Sequence, residues 1–132
     1  MLSINKNVLI ASGLAQEGLE LVRNTRDLNW QTTDNTWNQD IVADGTYIID
    51  YRGRSSINPA VNAVTDAGAR LYVNSDGFYT HDAAGATATN FYRLITVDNS
   101  HAEYLDVKSS IRWTEGTQNH DYTAETYLYD WK

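Results

Sequence analysis

The side chains that could do chemistry are few, and their spacing is uninformative for catalysis. Three histidines, His81, His101 and His120, each sit in or beside a turn-rich stretch. No two stand four apart on a helix and no His-Glu-x-x-His pattern occurs, so a zinc site would require the three to converge in space. Ser100-His101 are adjacent along the chain, which is not a triad, and there is no Gly-x-Ser-x-Gly elbow or glycine-rich phosphate loop. Seventeen acidic residues leave any glycosidase-type carboxylate pair unspecified. Asp34, Asn35, Asn38, Asp40 and Asp44 gather in one stretch, and hard oxygen ligands suit Ca²⁺. The spacing lacks the glycine and terminal glutamate of an EF-hand, so Asp34, Asn38, Asp40 and Asp44 are weak calcium candidates, and a polar loop built on Asx turns explains them as well. No other metal site, cofactor or catalytic residue is indicated, and the expectation is a protein that is not an enzyme. Nine tyrosines and four tryptophans could build a sugar-stacking surface, although most are spaced as strand residues that pack across strands.

The totals set the frame. A chain of 132 residues with 42% hydrophobic residues suits one domain and can bury a core. A net charge of -7 argues against nucleic acid, whose affinity rests on neutralised phosphates. With no cysteines, disulfides, thiolate metal sites and cysteine nucleophiles are excluded. No apolar run approaches the length of a bilayer span.

The elements that must position these residues follow from periodicity. From about residue 4 to residue 28 the pattern is one amphipathic helix, about 37 Å long. Ile4, Val8, Ala11, Leu14, Ala15, Gly18, Leu21, Val22 and Thr25 share an arc, with Gln16, Glu20, Arg23, Asn24 and Asp27 opposite and Glu17 at the border. Arg23 and Asp27 stand four apart, as a surface pair would. Leu14 and Val22 should face a sheet and Glu20 solvent. Ala11, Ala15 and Gly18 form a small-residue strip that suits either close packing on that sheet or contact with a second helix. Residues 29–45 read as a loop pinned by Trp30 and Trp37, and residues 46–132 as mainly antiparallel strands and loops.

Strand signals begin at Thr46–Tyr51. A loop or short helical turn over 52–69 follows. Asn74-Ser-Asp-Gly77 is a hairpin turn between Leu71–Val73 and Phe78–Thr80, with Gly77 at positive φ. Residues 83–89 read as a mobile Ala/Gly/Thr-rich stretch, and Phe91–Val97 as a strand. Alternation across 103–115 puts Leu105, Val107, Ser109, Ile111 and Trp113 on one face and Asp106, Lys108, Ser110 and Arg112 on the other. After a turn over 116–120, residues 121–131 return with Ala124, Thr126 and Leu128 on one face and Tyr127, Tyr129 and Trp131 on the other, a pattern that suits a strand covered on both sides. The fold class is therefore α+β, a long N-terminal amphipathic helix packed on an antiparallel sheet.

Two stretches carry a resemblance. Leu14-Ala-Gln-Glu-Gly-Leu-Glu-Leu-Val-Arg-Asn-Thr-Arg-Asp-Leu-Asn-Trp30 resembles the helix of type IV pilin-like proteins, in particular the PilV-like minor pilins and the type II secretion pseudopilins. Ser110-Ile-Arg-Trp-Thr-Glu115 with Thr126-Tyr-Leu-Tyr-Asp-Trp131 is similar to their terminal hairpin, and Leu71–Tyr79 is a weaker echo. The resemblance implies a pilin-like fold and a non-catalytic structural subunit of a type IV pilus (fimbrium) or related filament. Its precursor would carry a basic leader and an apolar anchor helix ahead of the sequence given. The partners implied are other pilin subunits, reached through the N-terminal helix, and the pilus assembly machinery. The face made by Ile4, Val8, Ala11, Ala15 and Gly18 is then the expected subunit-packing surface. The localisation implied is the bacterial cytoplasmic membrane for the precursor, then an extracellular pilus or periplasmic pseudopilus, with the present chain soluble. A pilus-tip adhesin for carbohydrate or a surface partner is the alternative, using the loops at 31–45 and 52–69.

Overall fold

A computed structural model describes residues 6–31, 45–101 and 103–129. Among these residues one α-helix, α1 (Lys6–Gln31), precedes six strands, β1 (Gly45–Tyr47), β2 (Arg70–Val73), β3 (Tyr79–Thr80), β4 (Thr87–Asp98), β5 (Tyr104–Glu115) and β6 (Gln118–Tyr129), with short 3-10 turns at Gly53–Ser56 and Ala67–Ala69 between β1 and β2. All pairings are antiparallel, in the order β3-β2-β4-β5-β6, with β1 on β4. Because β2 pairs with the first half of β4 and β1 with the second, the two short strands share one edge of β4.

α1 runs at about 39 Å along one face of this sheet. It lies antiparallel to β5: the Asn7 side chain donates to Glu115 Oε1 at 2.9 Å, and Gly18 sits over Ser109. Ala11, Leu14, Ala15, Leu19 and Val22 bury against Ile95, Val97, Leu105, Val107, Ile111, Trp113, Ala124 and Leu128. The expected orientations of Leu14, Val22 and Glu20 hold. The buried arc is rotated from expectation, because Leu19 is buried and Val8 is exposed. Arg23 pairs with Glu20 rather than Asp27, which instead receives Arg26. Among the described residues no helix is long and apolar enough to cross a membrane.

The long hairpin forms because alternation, register and turn agree. Leu105, Val107, Ser109, Ile111 and Trp113 all turn inward, as the sequence predicts. The turn is tighter than predicted: Glu115 pairs with Gln118, leaving only Gly116 and Thr117 outside, with Gly116 at φ +61°. At the smaller hairpin Gly77 takes φ +87°, and the Asn74 carboxamide oxygen accepts from the N–H groups of Asp76 and Phe78.

Three expectations are corrected. Residues 87–89 belong to β4, where Thr87 pairs with Val73, so β-branched threonine and an available partner outweigh the small residues around it. The strand signal over Thr46–Tyr51 ends as pairing after Tyr47, with Ile48 making a lone bridge to Asn58. The outer face of β6 is not covered along its length, since Tyr127 is half exposed; Trp131 lies outside the described residues. The outer face of β4 is the covered one: Leu94 packs with Ile48, Val61 and Ala69, so the 57–69 segment folds back over the sheet.

Candidate functional site

The most concentrated polar chemistry lies beneath α1. The inner face of β4 reads Phe91, Arg93, Ile95, Val97, which places a guanidinium in the core. Arg93 is 0% exposed. Its Nη1 donates to Glu17 Oε1 at 2.7 Å and to the Leu14 carbonyl at 3.0 Å, and its Nη2 donates to the Ile49 carbonyl at 3.0 Å. One side chain thus ties α1, β4 and the segment after β1 together. Burial pulls its pKa down, while the Glu17 carboxylate opposes that shift. Gly18 makes the approach possible. A Cβ there would lie 2.4 Å from Ser109 Oγ and 3.1 Å from Arg93 Cδ.

Beside it, Asp50 is 0% exposed and fully engaged. Arg52 donates to it in a fork (Nε to Oδ1 at 3.0 Å, Nη2 to Oδ2 at 2.8 Å) and again through its backbone N–H. Thr80 Oγ1 and the His81 N–H complete the set at 2.8 and 2.9 Å. Burial pushes the Asp50 carboxyl up, but these hydrogen bonds outweigh it and hold the group well below the usual carboxylate range. Ser56 Oγ, lying 2.9 Å from the Asp50 N–H, accepts from it and donates to the Gly53 carbonyl. The result fastens the 50–56 turn to β3.

His81 closes this cluster. Its Nδ1 lies 3.1 Å from the Arg70 carbonyl, so the neutral ring carries its proton on Nδ1 to donate there. Burial, and then the nearby Arg93 charge, lower its pKa to about 4. Its ring is directed to a carbonyl rather than to a hydroxyl, and Asp50 has its acceptors occupied. Both groups are held by hydrogen bonds within the cluster, while His81 Nε2 is buried without a hydrogen-bond partner among the described residues.

No family model, curated protein or solved structure matches the chain.

The three histidines do not converge. His81 is in the cluster just described, His101 stacks on Tyr104 and His120 stacks on Trp113. Among the described residues no group of three His, Cys, Asp or Glu could hold a metal ion. The calcium candidates Asp34, Asn38, Asp40 and Asp44 lie outside the described residues, as does Ile4. The expected subunit-packing face needs correction: Ala11, Ala15 and Gly18 are covered by the chain's own sheet, because small side chains let α1 come within reach of Ser109, Arg93 and Ile95. Val8 alone of that set is described and exposed.

An open groove of about 400 Å³ runs between the second half of α1 and the 51–55 turn, lined by Leu21, Asn24, Leu28, Tyr51 and Arg52 among others. Tyr51 stacks on Phe78 at its edge, with ring centroids 5.0 Å apart. Sequence reasoning passed over Arg93 and Asp50. The available signals were an arginine in phase with inward-facing Phe91, Ile95 and Val97, and an aspartate closing the apolar run Tyr47-Ile-Ile.

Proposed function

We propose that the chain is the globular part of a filament subunit, a non-catalytic minor pilin or pseudopilin that assembles with other pilin subunits through its N-terminal helix. The observation that carries this reading is the first part of α1. The helix is fastened to the sheet by Asn7, Leu14 and Glu17, yet Val8 and Leu9 are 40% and 58% exposed on its outer side. Large apolar side chains on the outer side of a helix offer a surface for another helix. The resemblance of the Leu14–Trp30 segment and of the β5–β6 hairpin to pilin-like proteins points the same way. Localisation in the bacterial membrane and then in a pilus or pseudopilus is part of this proposal.

The test uses the intact gene. Its codons ahead of Met1 should specify a basic leader and about 20 apolar residues. Since the chain has no cysteine, Leu9→Cys introduced into the encoded protein should yield disulfide-linked subunits in sheared filaments, whereas a cysteine at Lys108, on the opposite face of the sheet, should not. A coding sequence with neither leader nor apolar segment would sink the reading. A second reading, a pilus-tip module that binds carbohydrate or a surface partner, draws support from the exposed Tyr51–Phe78 pair beside the groove. A glycan array, with and without calcium, examines it, and an empty array would count against it.

A further inference from the structure

The arginines of this acid-rich chain pair with carboxylates, with one exception. Of those whose side chains are described, Arg23, Arg26, Arg52, Arg93 and Arg112 each meet an Asp or Glu. Arg70 meets none among the described residues, although the chain carries seventeen acidic residues and a net charge of -7. It lies on the sheet face turned away from α1. There the register sets Arg70 of β2, Tyr92 of β4, Arg112 of β5 and Asp121 of β6 in one row.

A β-bulge aims the Arg70 side chain. Arg70 stands opposite Tyr92 while Tyr72 stands opposite Ala88, so one residue of β2 faces three of β4. The Thr89 hydroxyl donates to the Leu71 carbonyl at 2.7 Å, and the Thr89 carbonyl accepts from Arg70 Nε at 2.9 Å. The Arg70 Cζ lies over two rings, 5.9 Å from the centroid of Tyr72 and 6.0 Å from that of Tyr92. Tyr92 is itself packed against the Ile48, Val61, Ala69 and Leu94 cluster, and His81 Nδ1 donates to the Arg70 carbonyl. The Nε end thus holds the side chain in place, while Nη1 and Nη2 donate to nothing among the described residues. Neither is occluded from water, so a ligand can reach them.

An immobilised fork of N–H donors suits an oxyanion met edge-on. The local charge selects which one. Arg112, one strand beyond Tyr92, is loosely engaged, its Nη1 3.5 Å from Asp121 Oδ1. One free guanidinium beside a partly neutralised second balances a single negative charge, which a carboxylate brings and a phosphate dianion exceeds. A sugar ring would need open aromatic faces, and the guanidinium already occupies one face of each tyrosine.

We propose that Arg70 binds the carboxylate of an aspartate or glutamate side chain from a partner polypeptide, with Nη1 and Nη2 donating to its two oxygens. The surface is on the opposite side of the sheet from α1, so it stands or falls independently of the filament reading. The test is an NMR titration of the chain with a blocked glycine peptide carrying two glutamates. Salt of about 0.1 M screens charges farther than about 10 Å away, so the chain's overall negative charge does not mask the site. The expected result is saturating shifts at the amides of 70–72 and 89–92 and at the Arg70 Nε–H, and none with the same peptide carrying glutamine. Arg70→Gln should weaken binding at least about tenfold, and Arg70→Lys, which keeps the charge and loses the fork, roughly threefold. An unchanged amide spectrum away from the patch shows that each variant folds, and the comparison of the two peptides needs no variant. No shifts at millimolar peptide, equal shifts with the glutamine peptide, or shifts centred elsewhere would each overturn the proposal. So would tighter binding of inorganic phosphate or glucuronate than of the peptide, or an Arg70→Lys chain that binds as well as the parent.

Discussion

The Glu17–Arg93 pair joins two groups in unequal surroundings, and the inequality fixes what each substitution should do. Arg93 is 0% exposed, whereas the Glu17 side chain is 38% exposed. Glu17→Gln leaves a guanidinium in the core without its nearest counter-charge, retaining only a neutral oxygen to receive Nη1. Removing one partner of a buried pair costs about 3–5 kcal/mol because the other charge is stranded. The nearby Asp50 carboxylate offsets part of this, so about 3 kcal/mol is expected. Arg93→Met keeps most of the stem's packing and strands Glu17 instead, which water reaches. Its main loss is the donor to the Ile49 carbonyl, since Leu14 lies within α1 where the helix can supply its own N–H. One unsatisfied buried acceptor costs about 1–3 kcal/mol, offset by no longer desolvating a guanidinium. The expectation is about 1–2 kcal/mol for Arg93→Met, and about the same for the double variant, so that the second substitution rescues the first. Urea unfolding of the three variants at pH 7 measures this directly. If Arg93→Met is the costlier change and the double variant equals the sum of the two, charge pairing does not hold Arg93 and the reasoning fails.

Gly18→Ala should destabilise by about 1–3 kcal/mol despite alanine's better helix propensity, because its Cβ would lie 2.4 Å from Ser109 Oγ; a thermal melt should show partial recovery in Gly18→Ala with Ser109→Ala. Trp113→Ala should cost about 3–5 kcal/mol, since the ring packs on Phe91 and His120 and its Nε1 donates to Glu115; an unchanged melting temperature would contradict the core placement. His81 has its pKa lowered from 6.5 to about 4, so the unfolded chain binds the proton more readily. Its contribution is complete above pH 6.5 and is lost as pH falls toward 4, and His81→Asn, which keeps a donor for the Arg70 carbonyl, should flatten that part of a stability–pH curve. Asp50 works in a lower window. Its depressed pKa gives stability present above the ordinary carboxylate range and lost only below about pH 4, so Asp50→Asn should steepen nothing between pH 6.5 and 4 while lowering stability at neutral pH.

Periodicity carried the sequence reading as far as periodicity reaches. α1 and the β5–β6 hairpin were legible because each repeats its pattern over many residues: Leu14 and Val22 at helical spacing, Leu105 to Trp113 at spacing two. The 57–69 segment was not legible as a cover for the sheet. Val61, Val64 and Ala69 follow no period, and what packs them on the sheet is a fold-back over Leu94, tied by the Ile48–Asn58 bridge and by the Thr46 hydroxyl donating to the Val61 carbonyl. The polar cluster was hidden for a different reason. Arg93, Asp50 and Glu17 are far apart in the chain, and an arginine on an inner face looks like a phase error until its partners are placed around it.

The same cluster bears on how the helix could serve an assembly. Glu17 and the Leu14 carbonyl bind Arg93, and Gly18 closes on Ser109, so the middle of α1 has its rotation about its own axis fixed against the sheet. Turning the small-residue strip outward would break the buried pair and expose Ala11, Ala15 and Leu19 together. In the proposed filament, contact through the described part of α1 would use what it already presents, Val8 and Leu9 near its start, with Lys6, Gly13 and Gln16 along the exposed side. A filament interface built this way needs no rearrangement of the globular part. Loosening the Glu17–Arg93 pair would then impair assembly through the angle of the helix, even though neither residue lies on the contact surface. Filaments that form normally from Glu17→Gln chains of reduced stability would separate the two roles and show that the helix angle is set elsewhere.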